Sequence, residues 1–370
     1  MLQFKDPAKL KTKRIVFEAI YCAQDSGTLE QLKELTSKRV NVELINKNKS
    51  TPDAVSREIS GGLTSQCQQD VQKLELYLPL LENLVQHIDS LGNDPRVIRL
   101  TSKLKIRWSS PLGSSCSLNI MGTKFFQIDD LRFELGSVLF FYGSMLREWA
   151  SQVLVTDLVQ SATLFRKAAG VYHHLGHDVL PSLKATCAPH GPPETTSSVS
   201  SVMSLICLAE AQVVTIMKAE EKQTADGLLS KLHYGVVQLL DEATDFYSTA
   251  AKECKDISHG LMDYISYSKA LHKLRSYKHM AQGVKTEGQI GTAIGLLKQA
   301  LNSKAEKNVG GKINTSTLTD LLRKYEHEND FVWNEKVPRD DLLPLLQGKK
   351  IATCIPYCPT RLERPLKLKI

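Results

Sequence analysis

The chain has 370 residues, 42% of them hydrophobic and 6% aromatic, and a formal net charge of +7. That length permits one large domain or two or three ordinary ones, each with a sizeable core. The positive residues are spread through KDPAKLKTKR, KLKIR, KAEKNVGGK and RLERPLKLK without interleaved aromatics, which argues against a nucleic-acid groove and suits weak attraction to acidic lipid headgroups or acidic peptides.

The N-terminal MLQFKDPAKLKTKRIVF carries charges where a signal peptide needs an apolar run. The most apolar window, around LGSVLFFYGSML, reads as too short to cross a bilayer, so a soluble, cytoplasmic protein is expected. Eight cysteines occur without a CxxC pair and read as reduced thiols.

In chain order, RIVFEAIY (14–21) is partly alternating and rich in β-branched and aromatic residues, which predicts a strand. SGTLEQLKELTSKRVNVELI predicts a helix. STPDAVSREI, with its Ser/Thr cap signal and early proline, opens a second helical stretch that runs to about Ser90 with Pro79 inside it. Pro, Gly and Ser clusters between short apolar runs over 103–126 predict a hairpin or small sheet. From 127 to 330 nearly everything has helical periodicity, in segments of about 20 to 30 residues joined by short linkers, an arrangement that favours antiparallel neighbours. The one long break is KATCAPHGPPETTSS (184–198).

The helix containing SLICLAEAQVVTIMKA (204–219) is decisive. At 100° per residue, Leu205, Ile206, Leu208, Val213, Val214, Ile216 and Met217 reach almost all the way round. Such a helix needs neighbours on both sides, as an inner member of a layered stack has. The Ala and Gly residues of GQIGTAIGLLKQAL (288–301) predict close approach of helix axes, as in a tetratricopeptide repeat. No 34-residue self-similarity is sustained, so the expectation is a repeat-like helical solenoid.

Motifs for chemistry are weak. HHLGH places His173 and His177 four apart on a helix, but a zincin-type Glu is missing and no third ligand is indicated, so a solvated or packed face is the simpler reading. CIPYC (Cys354, Cys358) has a proline inside it and no partner pair. NVGGKINTS lacks the first glycine of a P-loop. No nucleophile, acid and base fall into a recognisable order. The expectation is a protein without catalytic residues, metal, cofactor or small-molecule substrate. The final stretch, 328–359, carries Phe331, Val332, Trp333, Val337, Leu342, Leu343, Leu345 and Leu346, while Pro338, Pro344, Pro356 and Pro359 forbid a long helix. It is expected to lie extended along the body, packed structurally.

ENDFVW followed by VP, together with RKAAGVYHHL (166–175), SLICLAEAQVVTIMKA, VFEAIY and KIRW, resembles the Bro-one (BRO1-like) domain family of ESCRT-associated proteins, and most of all its Brox-like subgroup. The resemblance covers almost the whole chain and is weaker over the first 120 residues. It implies a mainly α fold, a curved boomerang-shaped helical solenoid with a tetratricopeptide-like core and a small N-terminal β-sheet, formed by a single domain over 1–370. Within it, 1–126 would hold the sheet, 127–330 the solenoid and 331–370 the extended segment. It also implies a non-enzymatic adaptor that binds the amphipathic C-terminal helix of a core ESCRT-III subunit on its concave face and is recruited from the cytoplasm to endosomal membranes.

Matched to the family's hydrophobic patch, the partner-binding residues would be Thr215, Leu228 and Leu232. Leu228 and Leu232, four apart, share a helix face, and they also fit a core stripe continuing through Val236, Leu239 and Ala243. Thr215 stands where Alix-like domains carry an aromatic residue, and Val155 and Val159 where they carry an acid and a lysine. A different client for the same fold, a small GTPase or a cargo tail, is the alternative. The closing RLERPLKLKI lacks a CaaX box, so any membrane association is expected to be peripheral and reversible.

Overall fold

The computed structural model describes residues 7–46, 65–92, 94–113, 124–183, 191–302, 313–360, 362 and 364–369. A short strand and a first helix open it, β1 (Cys22–Ala23) and α1 (Ser26–Leu44), followed by α2 (Gln66–Ser90), α3 (Pro95–Thr101), β2 (Arg107–Ser109) and β3 (Phe125–Gln127). Then come α4 (Leu131–Val153), α5 (Leu158–His174, continued by a π-helical turn and a final turn to Leu183), α6 (Ser197–Glu221), α7 (Asp226–Glu253) and α8 (His259–Thr286). The shorter α9 (Ile290–Asn302) and α10 (Ser316–Glu328) precede an extended return segment that ends in β4 (Leu368–Lys369).

Local sequence fixes where the helices start. Asp25, Asp94, Asp130 and Asp157 sit at N-caps, and their carboxylates accept from the backbone amides of Thr28, Arg96, Arg132 and Val159 respectively, each satisfying an otherwise unpaired donor. Ser65 caps α2 in the same way. The helical cap expected at 50–51, part of the 184–198 break and part of NVGGKINTS lie outside the described residues.

The long helices stack in sequence order. Neighbours pack α1 on α2, α2 on α4, α4 on α5, α5 on α6, α6 on α7, α7 on α8, α8 on α9 and α9 on α10. The second face of α6 is therefore covered, with α5 on one side and α7 on the other. Ile206, Val214 and Ile216 are buried, and Leu205, Leu208 and Val213 are partly covered. By length and composition α6 suffices to span a membrane, contrary to the reading that no run does, but 67% of its most apolar window is buried within the fold. Its apolarity is accounted for by two helical neighbours. One core runs from the N-terminal segment to the first half of α8, and a second joins the rest of α8 to α9 and α10.

Residues 14–21 form no strand, which corrects the sequence expectation. Ile15, Phe17 and Tyr21 do point inward, but the backbone makes a 3-10 turn at Phe17–Ala19. The strand that follows, β1, pairs antiparallel with β4 from the far end of the chain, Cys22 opposite Lys369 and Ala23 opposite Leu368. The hairpin-like pairing expected over 103–126 is present as β2 with β3, Trp108 opposite Phe126.

A buried polar hub ties these first layers together. Glu134 of α4 pairs with Arg39 of α1, both inaccessible to solvent. It also accepts from Trp108 Nε1 at 2.6 Å and from Tyr77 Oη at 3.1 Å. Arg39 reaches Thr12 as well and lies over the Trp108 ring at 5.2 Å.

The return segment straps the stack from end to end. It passes α9, where Gly291 faces Lys336 and Gly295 faces Leu343. It then crosses α7, with Lys349 N donating to Lys231 O at 2.8 Å, and α5, with Ile355 N donating to Arg166 O at 3.0 Å. Tyr357 Oη donates to Glu82 of α2 at 2.7 Å. Glycine marks the close crossings: a β-carbon at Gly235 would lie 2.3 Å from Lys349 O, and one at Gly170 would lie 1.8 Å from Ile355 O. The glycines of α9 thus admit the strap rather than a second helix axis, which corrects their sequence reading. The strap does not bury all its large apolar residues either. Phe331, Val332 and Trp333 face solvent on the π-helical turn that ends α10, as do Leu342 and Leu345, whereas Leu343 is buried.

Candidate partner-binding site

The three residues singled out by sequence fall at the α6–α7 contact, in unequal positions. Leu228 is 39% exposed and Leu232 only 4%. Thr215 is half-buried, its hydroxyl donating to Ala211 O at 3.0 Å, so it spends its polarity on its own helix. Leu232 belongs to the core, held where Gln212 Nε2 of α6 donates to Leu232 O at 2.7 Å. Leu228 is the apolar side chain of this pair that a partner can reach.

The strap defines the edge of this surface. Gln212 Nε2 also donates to Lys349 O at 3.0 Å, and its Oε1 accepts from Ile351 N at 3.0 Å. On α7 the strap meets Lys231 and Gly235. Leu228 lies three residues before Lys231 and seven before Gly235, hence on the same helix face. Thr215 lies three residues beyond Gln212 on α6. The strap therefore leaves the α6–α7 face one turn before Thr215 and Leu228. Val155 and Val159 are 92% and 68% exposed at the α4–α5 turn, on either side of Asp157, whose carboxylate caps α5.

A second feature lies under the strap, a cavity of about 280 Å³ lined by Glu75, Tyr142, Lys167 and Tyr357 among others. Beside it, burial pushes the Glu82 carboxyl up to about 7.

His173 and His177, the metal-spacing pair, stack ring on ring at 4.1 Å, and His177 Nδ1 is 2.9 Å from His173 O. Among the described residues no third ligating group joins them. The residues that do converge are Glu220, His233 and His279, from α6, α7 and α8. Sequence reading missed them because they come from three helices. His272, seven residues before His279 on α8, stands behind His233, its Nδ1 3.0 Å from His233 Nδ1. Burial, with His272 next in importance, pushes His233 down to about 2; burial also pushes His272 down to about 3. Both rings are therefore neutral at physiological pH.

A BRO1-like domain signature matches residues 45–367. The chain belongs to the BRO1-like domain family. A relative in Caenorhabditis elegans, apoptosis-linked gene 2-interacting protein X 1, is 24% identical over 93% of this chain and 39% of its own length. Programmed cell death 6-interacting protein of Xenopus laevis is 26% identical over 57% of this chain and 24% of its own length. Human BRO1 domain-containing protein BROX is 27% identical over 47% of this chain and 46% of its own length. The chain thus spans less than half the length of these relatives. Among solved structures, the ALIX BRO1 domain in complex with CHMP4C superposes with a TM-score of 0.68 at 16% identity, covering 96% of this chain and 95% of that one. A Bro1 domain described in endosomal targeting gives 0.62 at 18% identity, covering 93% of this chain and 91% of that one. The fold is the helical boomerang of this family, a protein-interaction module.

Proposed function

We propose that this BRO1-like domain is a non-enzymatic adaptor that receives the amphipathic C-terminal helix of a core ESCRT-III subunit on the α6–α7 face, with Leu228 and Thr215 at the contact and Leu232 shaping the floor from beneath. The observation that carries this reading is the exposed Leu228, one turn along α7 from the residue at which the strap crosses it. A groove between packed helices suits recognition of an apolar helix stripe with anchors three and four residues apart. The ALIX BRO1 domain, which shares the fold, was solved with CHMP4C, and that supports an ESCRT-III subunit as the class of partner. Affinity of this kind lies near micromolar, about −8 kcal/mol. The adaptor would be drawn from the cytoplasm to endosomal membranes by its partner, and the charge of +7 adds a weak, salt-sensitive attraction to acidic lipid.

Vesicle co-sedimentation tests this reading. Vesicles that display a tethered CHMP4-type C-terminal segment should pellet the protein, and the Leu228→Asp variant should stay in solution. Equal pelleting by bare acidic vesicles, or no loss in the variant, would contradict it and direct attention to lipid or to another client such as a small GTPase or cargo tail.

A further inference from the structure

Three helices bring imidazole and carboxylate groups together beside the candidate groove, and the arrangement has the features of a ligand set. His233 of α7 is buried, with its side chain 1% exposed. Its Nε2 has no hydrogen-bond partner. A buried polar atom in that condition is costly unless something fills the position. Glu220 Oε1, on the last turn of α6, lies 3.8 Å from that Nε2 and also 3.8 Å from Nε2 of His279 on α8. All three ligand atoms fall within 4.8 Å of one another.

The outer hydrogen bonds orient the rings so that Nε2 is the free nitrogen on each. His279 Nδ1 is 2.7 Å from Asp226 Oδ1. A carboxylate only accepts, so Nδ1 carries a proton, and in the neutral ring Nε2 then offers a lone pair. His233 Nδ1 is 3.0 Å from His272 Nδ1, and when His233 donates there its Nε2 is likewise bare. A carboxylate behind one ligating imidazole and a hydrogen-bonded group behind the other is how metal-binding histidines are held.

We infer that Glu220, His233 and His279 form a binding site for a divalent transition cation of the zinc class, with water completing a four-coordinate shell. Two imidazoles and one carboxylate match zinc's preference for nitrogen and oxygen donors at about 2.0–2.1 Å. Tetrahedral ligand atoms at that distance lie about 3.3 Å apart, so the carboxylate contacts close by roughly half an ångström on binding. The Glu220 side chain, 46% exposed, is free to supply that movement. Glu220 and Asp226 offset the positive charge of Arg275 and Lys278, both of which act on His233. The ion would staple α6, α7 and α8 together five residues beyond Thr215 and one residue beyond Leu232, stiffening the face to which a partner helix binds.

The test uses the full chain stripped by chelator and titrated with zinc chloride by calorimetry, and with cobalt(II) by visible absorption. The expected result is one equivalent bound, with the intense bands of four-coordinate cobalt. Glu220→Ala, at a half-exposed side chain, and His279→Gln, which keeps a polar group of similar size, should each weaken binding at least tenfold while helical circular dichroism stays unchanged. Asp226→Asn should weaken it ten- to a hundredfold through the outer hydrogen bond. Two control variants, His173→Gln with His177→Gln and Cys354→Ser with Cys358→Ser, should bind as the parent does. Absence of stoichiometric uptake, uptake indifferent to Glu220 and His279, or loss of uptake in either control would overturn the assignment.

Discussion

Replacing Glu134 by alanine should unpick the first layers of the stack. The carboxylate holds the Arg39 guanidinium and accepts from Trp108 Nε1 and Tyr77 Oη, joining α1, α2, β2 and α4 in a space closed to water. Breaking one side of a buried ion pair costs about 3–5 kcal/mol because the other charge stays behind unpaired. Each neutral donor left without an acceptor adds about 1–3 kcal/mol when nothing else moves. These terms overlap, so a loss of about 5 kcal/mol is expected, against a total of about 5–15 kcal/mol for a folded domain. Urea denaturation followed by circular dichroism and tryptophan fluorescence measures it. The double variant Arg39→Met, Glu134→Leu should recover the ion-pair part of the loss, since it leaves neither charge buried alone, while the Trp108 and Tyr77 donors stay without an acceptor. A single Glu134→Ala variant within about 1 kcal/mol of the parent would refute the view that this hub organises the N-terminal layers.

Burial raises the carboxyls of Glu82 and Glu194 from 4.5 to about 7, so the folded chain holds more protons than the unfolded chain in that window. Their contribution to stability is fully present below about pH 4.5 and is lost as pH rises through about 7, by at most roughly 3 kcal/mol per group. Glutamine at both positions removes these titrations, so the stability of the variant relative to the parent should rise with pH across a melting series from pH 5 to 8. Alanine at Gly170 or Gly235 would press a β-carbon into the strap at Ile355 O or Lys349 O. A cost of about 1–3 kcal/mol is expected, with faster hydrogen exchange confined to residues 349–357. Leu232→Asp, placing a charge in the core, should lower the melting temperature sharply, whereas Leu228→Asp should leave it within a degree or two of the parent.

The long helices could be read from sequence because their signals are local: an aspartate cap, a period of 3.6 and a turn. The two-sided apolar character of α6 correctly called for two neighbours, and the strap that carries the four prolines runs mostly without helix. Residues 14–21 misled because Ile15, Phe17 and Tyr21 are inward-facing without being paired. Their alternation reports burial, and the strand partner that decides the matter is Leu368–Lys369, more than 340 residues away. The glycines of α9 have the spacing of a helix contact, and only the strap's path shows what lies against them. At the candidate site, period placed Leu228 and Leu232 on one face, but it could not show that α6 covers Leu232 while Leu228 stays open. Glu134 with Arg39, and Glu220 with His233 and His279, are meetings of separate helices that no spacing along the chain announces.

If the α6–α7 face binds an apolar helix through Leu228, shortening or charging that side chain must weaken the complex. Leucine burial is worth about 1.5–3 kcal/mol in full, and 39% of this residue is open to a partner, so Leu228→Ala should weaken binding by about three- to sevenfold. A buried, unpaired aspartate raises the loss to about 2–4 kcal/mol, or 30- to 1,000-fold. Calorimetric titration of the parent, Leu228→Ala and Leu228→Asp with a synthetic ESCRT-III C-terminal helix measures all three. Micromolar binding by the parent, weakened in that graded order in variants with unchanged helical circular dichroism, is the expected result. No binding by the parent, or equal binding by all three, would contradict the claim.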